Sequence, residues 1–258
     1  REVIALKQAG EPILVYFHAV PEDPDLLNIL DTYGKWIDGI KLYPLMGYFP
    51  YDSVLTDVYN WCYENKKPVI SHTAPVNPTH YRGEDDIQKR LSDRVIPLIP
   101  DYKTQAELCA NFSHPLALRW LAQHYVGVNY CAAHLGGKDE IIKFIENDEI
   151  QYIKGTKRIP KKDIHEFSWT YHILKACIEL PNFYTDTSFS INNPEFYDLV
   201  NQLLDIPILQ DKILFGSDYY MNKTAATQDC YYERFRSAIG IFKFYKIAKT
   251  NVNNFYKK

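Results

Sequence analysis

Short apolar runs rich in β-branched and aromatic residues recur along the chain, over residues 13–19, 38–43, 68–72, 128–134, 183–187 and 213–218. Gly, Pro, Asn and Asp flank them, as strand boundaries require. Between the runs the period changes to that of a helix. Residues 53–65 carry Val54, Val58 and Trp61 on one face with Ser53 as cap, and Pro115 follows Ser113-His114 as a first-turn proline opening a helix to His124. Residues 167–180 place Tyr171, Leu174 and Ile178 at helical spacing, and a further helix spans 194–204 after Asn192-Asn193. The opening Val3 to Gly10 reads as the end of a glycine-capped helix.

Strands alternating with helices imply a parallel sheet, because a parallel pair needs a crossover. The runs are nearly continuously apolar, which fits burial on both faces. A (β/α)8 TIM barrel and an open doubly wound sheet both satisfy this. No G-x-G-x-x-G follows a strand, which disfavours the dinucleotide-binding form of the second. The α/β reading is therefore of (β/α)8 TIM-barrel type, a single domain over residues 1–258 with about six of the eight strand–helix units. Spread over six units, 258 residues give about 43 each, and eight units would need roughly 340. An N-terminally truncated barrel is the expectation. Residues 73–113 and 138–166 exceed ordinary connections and are expected to flank the barrel mouth, at least one of them mobile.

Composition narrows the picture. The chain is 46% hydrophobic and 24% charged with a net charge of -3, so no nucleic-acid or membrane-surface partner is expected. No stretch of about 18 uncharged apolar residues reads as a membrane span. The five cysteines, Cys62, Cys109, Cys131, Cys177 and Cys230, form no C-x-x-C pair and read as reduced thiols of a cytoplasmic protein. The basic residues Lys154, Lys157, Arg158, Lys161 and Lys162 read as a solvated face. The 21 tyrosines leave a homo-oligomer open.

The chemistry lies at the strand ends. His18, Lys41, His72, His134, Asp186 and Asp218 each end a run or follow one, and in a parallel barrel those ends share one mouth. His72 closes Pro68-Val69-Ile70-Ser71, and His134 precedes Leu135-Gly136-Gly137, where two glycines allow close backbone approach. Asp218 follows Leu214-Phe215-Gly216-Ser217, and a carboxylate there is costly to bury unless paired or metal-bound. Two imidazoles and a carboxylate suit zinc, manganese or iron. Arg82, in the long segment after His72, has the fork that clamps a carboxylate. His114, His124, His165 and His172 lie on helices or their approaches and read as structural.

The runs GIKLYP (39–44), PVISHT (68–73), NYCAAHLGG (129–137), NFYTDTS (182–188) and KILFGSD (212–218) resemble, in order, successive strands of the amidohydrolase superfamily. The nearest branch is the amidohydrolase-related group, which includes decarboxylases similar to aminocarboxymuconate-semialdehyde decarboxylase. The resemblance implies that His72 is the metal-ligand histidine of strand five. It implies that His134 is the strand-six histidine, a metal ligand or a group polarising the substrate. Asp218 would be the strand-eight aspartate that binds metal and moves protons. Lys41 would contact substrate. The superfamily's His-x-His pair of strand one occurs nowhere in this sequence. The implied activity is hydrolysis of a C–N or C–O bond in a small molecule by a divalent metal, zinc foremost. Non-oxidative decarboxylation and a non-catalytic binding barrel are the alternatives.

Overall fold

Six short strands form one parallel sheet in the order β1-β2-β3-β4-β5-β6: Tyr16–His18, Gly39–Leu42, Val69–Ser71, Tyr130–Ala132, Phe183–Asp186 and Ile213–Leu214. The computed structural model describes residues 2–75, 83–99, 104–218 and 228–256. Strand order follows chain order without the reversal of a doubly wound sheet, which is the TIM-barrel arrangement. Each strand is shorter than its apolar run. The runs include residues that leave the ladder: His134 and Asp218 take positive φ of 71° and 46°, incompatible with a strand.

The register explains the two-sided burial. Lys41, Ile70, Cys131 and Tyr184 lie side by side across β2 to β5, so their side chains share the sheet face that His72 and Asp186 meet two residues on. Ile40, Leu42, Val69, Tyr130, Ala132, Phe183 and Ile213 belong to the large core between sheet and helices. On the other face Ile70, Cys131, Tyr184 and Leu214 pack with Val252, Phe255 and Tyr256 of the last helix, Asn251–Tyr256.

That helix also meets both sheet edges. Asn251 Nδ2 donates to Ile213 O and Gln210 O, each at 2.7 Å, and Phe215 N donates to Ile247 O at 3.0 Å. Tyr256 hydrogen-bonds Tyr16 of β1 through the two hydroxyls. An unpaired edge is a liability, and here the C-terminal turns occupy it.

The helix Pro115–His124 starts at its proline as expected, with His114 as cap. The helix of 53–65 begins differently: Asp52, not Ser53, accepts the Val54 N–H at 3.1 Å. A 3-10 turn, Ser53–Leu55, precedes the α-helix Thr56–Asn65 and turns Val54 out to solvent at 57% exposure. The long segments are not irregular insertions. Residues 138–166 open directly on the helix Lys138–Glu146, whose Ile141 and Phe144 are buried, and residues 73–113 contain the helices Glu84–Leu91 and Gln105–Ser113. Lys157 pairs with Asp148 on an exposed surface, as a solvated basic face should. Cys62, Cys109, Cys131 and Cys177 are buried and none is in a disulfide. Among the described residues no helix is long and apolar enough to cross a membrane.

Candidate active site

The site is built where β3, β4 and β5 end. After Ala132 the backbone turns sharply, and His134 and Leu135 both adopt left-handed conformations, at φ 71° and 50°. Each costs an L-residue roughly 1–2 kcal/mol, so surrounding contacts must hold them. Asp186 Oδ1 accepts the His134 N–H at 3.0 Å, Ser190 Oγ donates to His134 O at 3.0 Å, and Thr170 Oγ1 donates to Leu135 O at 2.7 Å. Gly136, at φ 93°, lies so close to the start of the helix Trp169–Glu179 that a Cβ would stand 3.1 Å from the Thr170 nitrogen. Gly137, at φ 89°, packs against Ala74, where a Cβ would be 3.0 Å away. Both glycines are therefore needed for conformation and for space.

The hydrogen bonds fix how the imidazoles are protonated. Ser188 Oγ donates its hydrogen to Asp186 Oδ1, so it accepts from His134 Nδ1–H, 2.9 Å away, with Ser188 O a second acceptor at 3.2 Å. The His134 Nε2 lone pair then faces His72 Nδ1 at 3.1 Å. Only a proton on His72 Nδ1, or a cation between two lone pairs, makes that approach favourable. His72 is buried against the Tyr43 ring, 4.6 Å between centroids, and its Nε2 has no hydrogen-bond partner among the described residues.

Burial holds the His72 imidazole well below its ordinary pKa, and the His134 and Lys41 charges lower it further. Burial lowers His134 too, against the opposing pull of Asp186 and Asp218. Both rings are therefore neutral near pH 7, the form that binds metal. Burial also lowers the Lys41 amine, with Asp186, Cys131 and Asp218 acting the other way. The Cys131 thiol, 3.7 Å from Asp186 Oδ2, is pushed well up by burial and by that carboxylate.

A divalent metal fits this pair. Two nitrogens each about 2.0–2.1 Å from one zinc ion stand at most about 4.2 Å apart, and these stand at 3.1 Å. Asp218 is near enough for its charge to raise both His134 and Lys41. Among the described residues no group of three or more His, Cys, Asp or Glu is arranged around one ion position. The residues present thus bring two nitrogen donors together, with Asp218 in the same electrostatic neighbourhood. Arg82 lies outside the described residues, and His18 ends exposed on β1, beside Lys41 in register. The sequence reading passed over Ser188. Its signal is present as Asp186-x-Ser188 at a strand end, a spacing at which a carboxylate can accept from the hydroxyl and the N–H two residues on.

A model of the amidohydrolase family matches residues 3–240. No curated protein matches the chain. Among solved structures, an uncharacterised TIM-barrel protein of Bordetella bronchiseptica is 16% identical with a TM-score of 0.57, over 98% of this chain and 70% of its own. An amidohydrolase of Burkholderia multivorans with bound zinc is 11% identical with a TM-score of 0.58, over 99% of this chain and 78% of its own. A 5-carboxyvanillate decarboxylase of Novosphingobium aromaticivorans, complexed with manganese and a nitrobenzoic acid, is 13% identical with a TM-score of 0.55. That alignment covers 100% of this chain and 68% of the decarboxylase. These likenesses show the fold.

Proposed function

This chain belongs to the amidohydrolase family, and from that premise we propose that it hydrolyses a C–N or C–O bond of a small molecule with the help of a divalent metal. The observation that carries the reading is the His72–His134 pair, two neutral imidazoles at 3.1 Å braced from behind by Ser188 and Asp186. His72 and His134 would hold the metal, with Asp218 as the carboxylate of the set. The metal, zinc foremost, would supply Lewis acidity and lower the pKa of bound water. Asp218 accepts the proton released by the attacking water and returns it to the leaving group. His134 keeps its Nε2 lone pair directed at His72 Nδ1 because Ser188 fixes its tautomer. Lys41 and Arg82 are the substrate-side cations of this reading.

A second reading, non-oxidative decarboxylation of a small carboxylic acid, draws on Lys41. This largely buried amine forms no hydrogen bond among the described residues, and a buried cation suits a substrate carboxylate. One set of assays separates the readings. The purified chain is analysed for metal, then incubated with lactones and amides and, separately, with hydroxybenzoates. Bound metal with acid released from lactones or amides supports hydrolysis, and carbon dioxide released from hydroxybenzoates supports decarboxylation. A folded chain that takes up no added zinc or manganese and turns over neither set overturns both and leaves a binding barrel.

A further inference from the structure

Three histidines away from the strand ends come together. His114 is buried, with ring centroids 5.5 Å from His165, 5.6 Å from His172 and 5.0 Å from Trp169. His114 Nδ1 accepts the Leu116 N–H at 3.3 Å and so caps the helix Pro115–His124. Its proton is then on Nε2, which is buried with no partner among the described residues. The carbonyls of Pro97 and Leu98 take one ring hydrogen of His165, whose Nε2 is also buried with no partner among the described residues. His172 Nε2–H donates to Ile164 O at 2.8 Å. Every ring is thus assigned as neutral, and two polar nitrogens are buried with their hydrogen-bonding capacity unused.

The cluster joins separate segments. His114 ends the helix Gln105–Ser113, His165 lies in the turn Ile164–Glu166, and His172 lies on the helix Trp169–Glu179. Each side is one hydrogen bond from a strand-end histidine's neighbourhood. Ser113 Oγ donates to Ala74 O at 3.1 Å, two residues after His72, and Thr170 Oγ1 donates to Leu135 O at 2.7 Å, next to His134.

We propose that His114, His165 and His172 form an acid-released latch that clasps the segments supporting His72 and His134 near neutral pH and frees them on acidification. The charges around the latch favour release. His114 faces His172, His165 and the Lys143 ammonium; His172 faces Arg119, His165 and Lys143; His165 faces Lys143 and one carboxylate, Asp163. Lys143 is pinned there by donating to His165 O at 2.9 Å and Phe167 O at 3.1 Å. A second proton on His114 must go to Nδ1, the very atom that caps the helix, so protonation and uncapping are one event. Burial also disfavours the charged form of all three rings. The open state therefore gains protons, and its population rises with falling pH by up to about tenfold per pH unit for each histidine released.

Amide hydrogen exchange on the whole chain between pH 7.5 and 5, corrected for the intrinsic rate, tests the latch without any substrate. Peptides from Gln105–Ser113 and residues 164–175 are expected to lose protection at least tenfold while those from β3 and β4 keep theirs. His114→Asn keeps a capping side chain but removes the titrating ring; paired with His172→Gln, it should abolish that selective loss. Uniform loss over the chain, or the same selective loss in the double variant, overturns the proposal. Imidazole NMR of the wild-type chain decides the matter should the double variant not fold. The latch requires His114 and His172 to stay neutral until the exchange transition and to titrate with it. Ordinary independent titration of either ring, with no change in exchange, overturns it.

Discussion

His134 Nε2 stands 3.1 Å from His72 Nδ1, although 62 residues separate the two histidines in the chain. Each ring is delivered by a different strand end, and the tautomer of one is set from a third, through Asp186 at the end of β5 and Ser188 just past it. The pair is preorganised at the cost of two consecutive left-handed residues. Strain of this kind persists only where neighbouring contacts over-determine the backbone.

Asp218→Asn should abolish turnover and leave the fold intact. Asp218 has φ 46°, a conformation that Asn tolerates as well as Asp does. The substitution removes the proton acceptor and the carboxylate charge together. Turnover should fall at least about 100-fold, with a thermal midpoint unchanged within about 2 °C. Full activity in the folded variant would remove Asp218 from the mechanism.

Ser188→Ala should weaken metal binding more than it weakens the fold. The hydroxyl bridges His134 Nδ1 and Asp186 Oδ1, and without it the ring is held at Nδ1 only by the longer contact to Ser188 O at 3.2 Å. Loss of such a supporting partner typically costs 10–100-fold in affinity. Competition with a chromophoric chelator for zinc measures it; wild-type affinity in Ser188→Ala would show that the tautomer is set elsewhere.

The period of the apolar runs was enough to find six parallel strands, because a strand buried on both faces writes itself as continuous hydrophobicity. It was not enough to find where strands end. His134 follows Cys131-Ala132-Ala133 without any polar break, yet the ladder stops at Ala132; the turn is imposed by Asp186 and Thr170, far away in sequence. The same limit hid the helix after Gly137, read as part of a long insertion. His72 and His134 were legible because histidines that close apolar runs are unusual. The grouping of His114, His165 and His172 was not, since it depends on how two helices and a turn pack.

His172 should make folding stability depend on pH. Burial, with Arg119, His165 and Lys143 adding to it, lowers its pKa from 6.5 to about 4. The folded state keeps the ring neutral while the unfolded chain takes up a proton below pH 6.5. The contribution is therefore complete above pH 6.5 and is lost as pH falls toward 4, by about 3 kcal/mol in all. Urea unfolding at pH 7, 5.5 and 4.5 should show His172→Gln with a slope shallower by up to about 1.4 kcal/mol per pH unit. Identical slopes would mean that the ring is protonated in the folded state.

Asn251→Leu should make the chain unfold more easily. The side chain is fully buried, and its amide donates to Gln210 O and Ile213 O at 2.7 Å each. Ile213 is in β6, which among the described residues pairs only with β5, so this amide serves a carbonyl that no further described strand takes up. Leucine is close in size but donates nothing, so the buried Ile213 O and the half-buried Gln210 O would lose their partner. At about 1–3 kcal/mol for an unsatisfied buried group and about 1 kcal/mol for the half-buried one, which water can reach, the expected loss is about 2–4 kcal/mol in denaturant unfolding. Tyr256→Phe, which removes only the hydroxyl contact to Tyr16, should cost about 1 kcal/mol. A loss below about 0.5 kcal/mol for Asn251→Leu would mean that the C-terminal turns lie against the sheet edge without stabilising it.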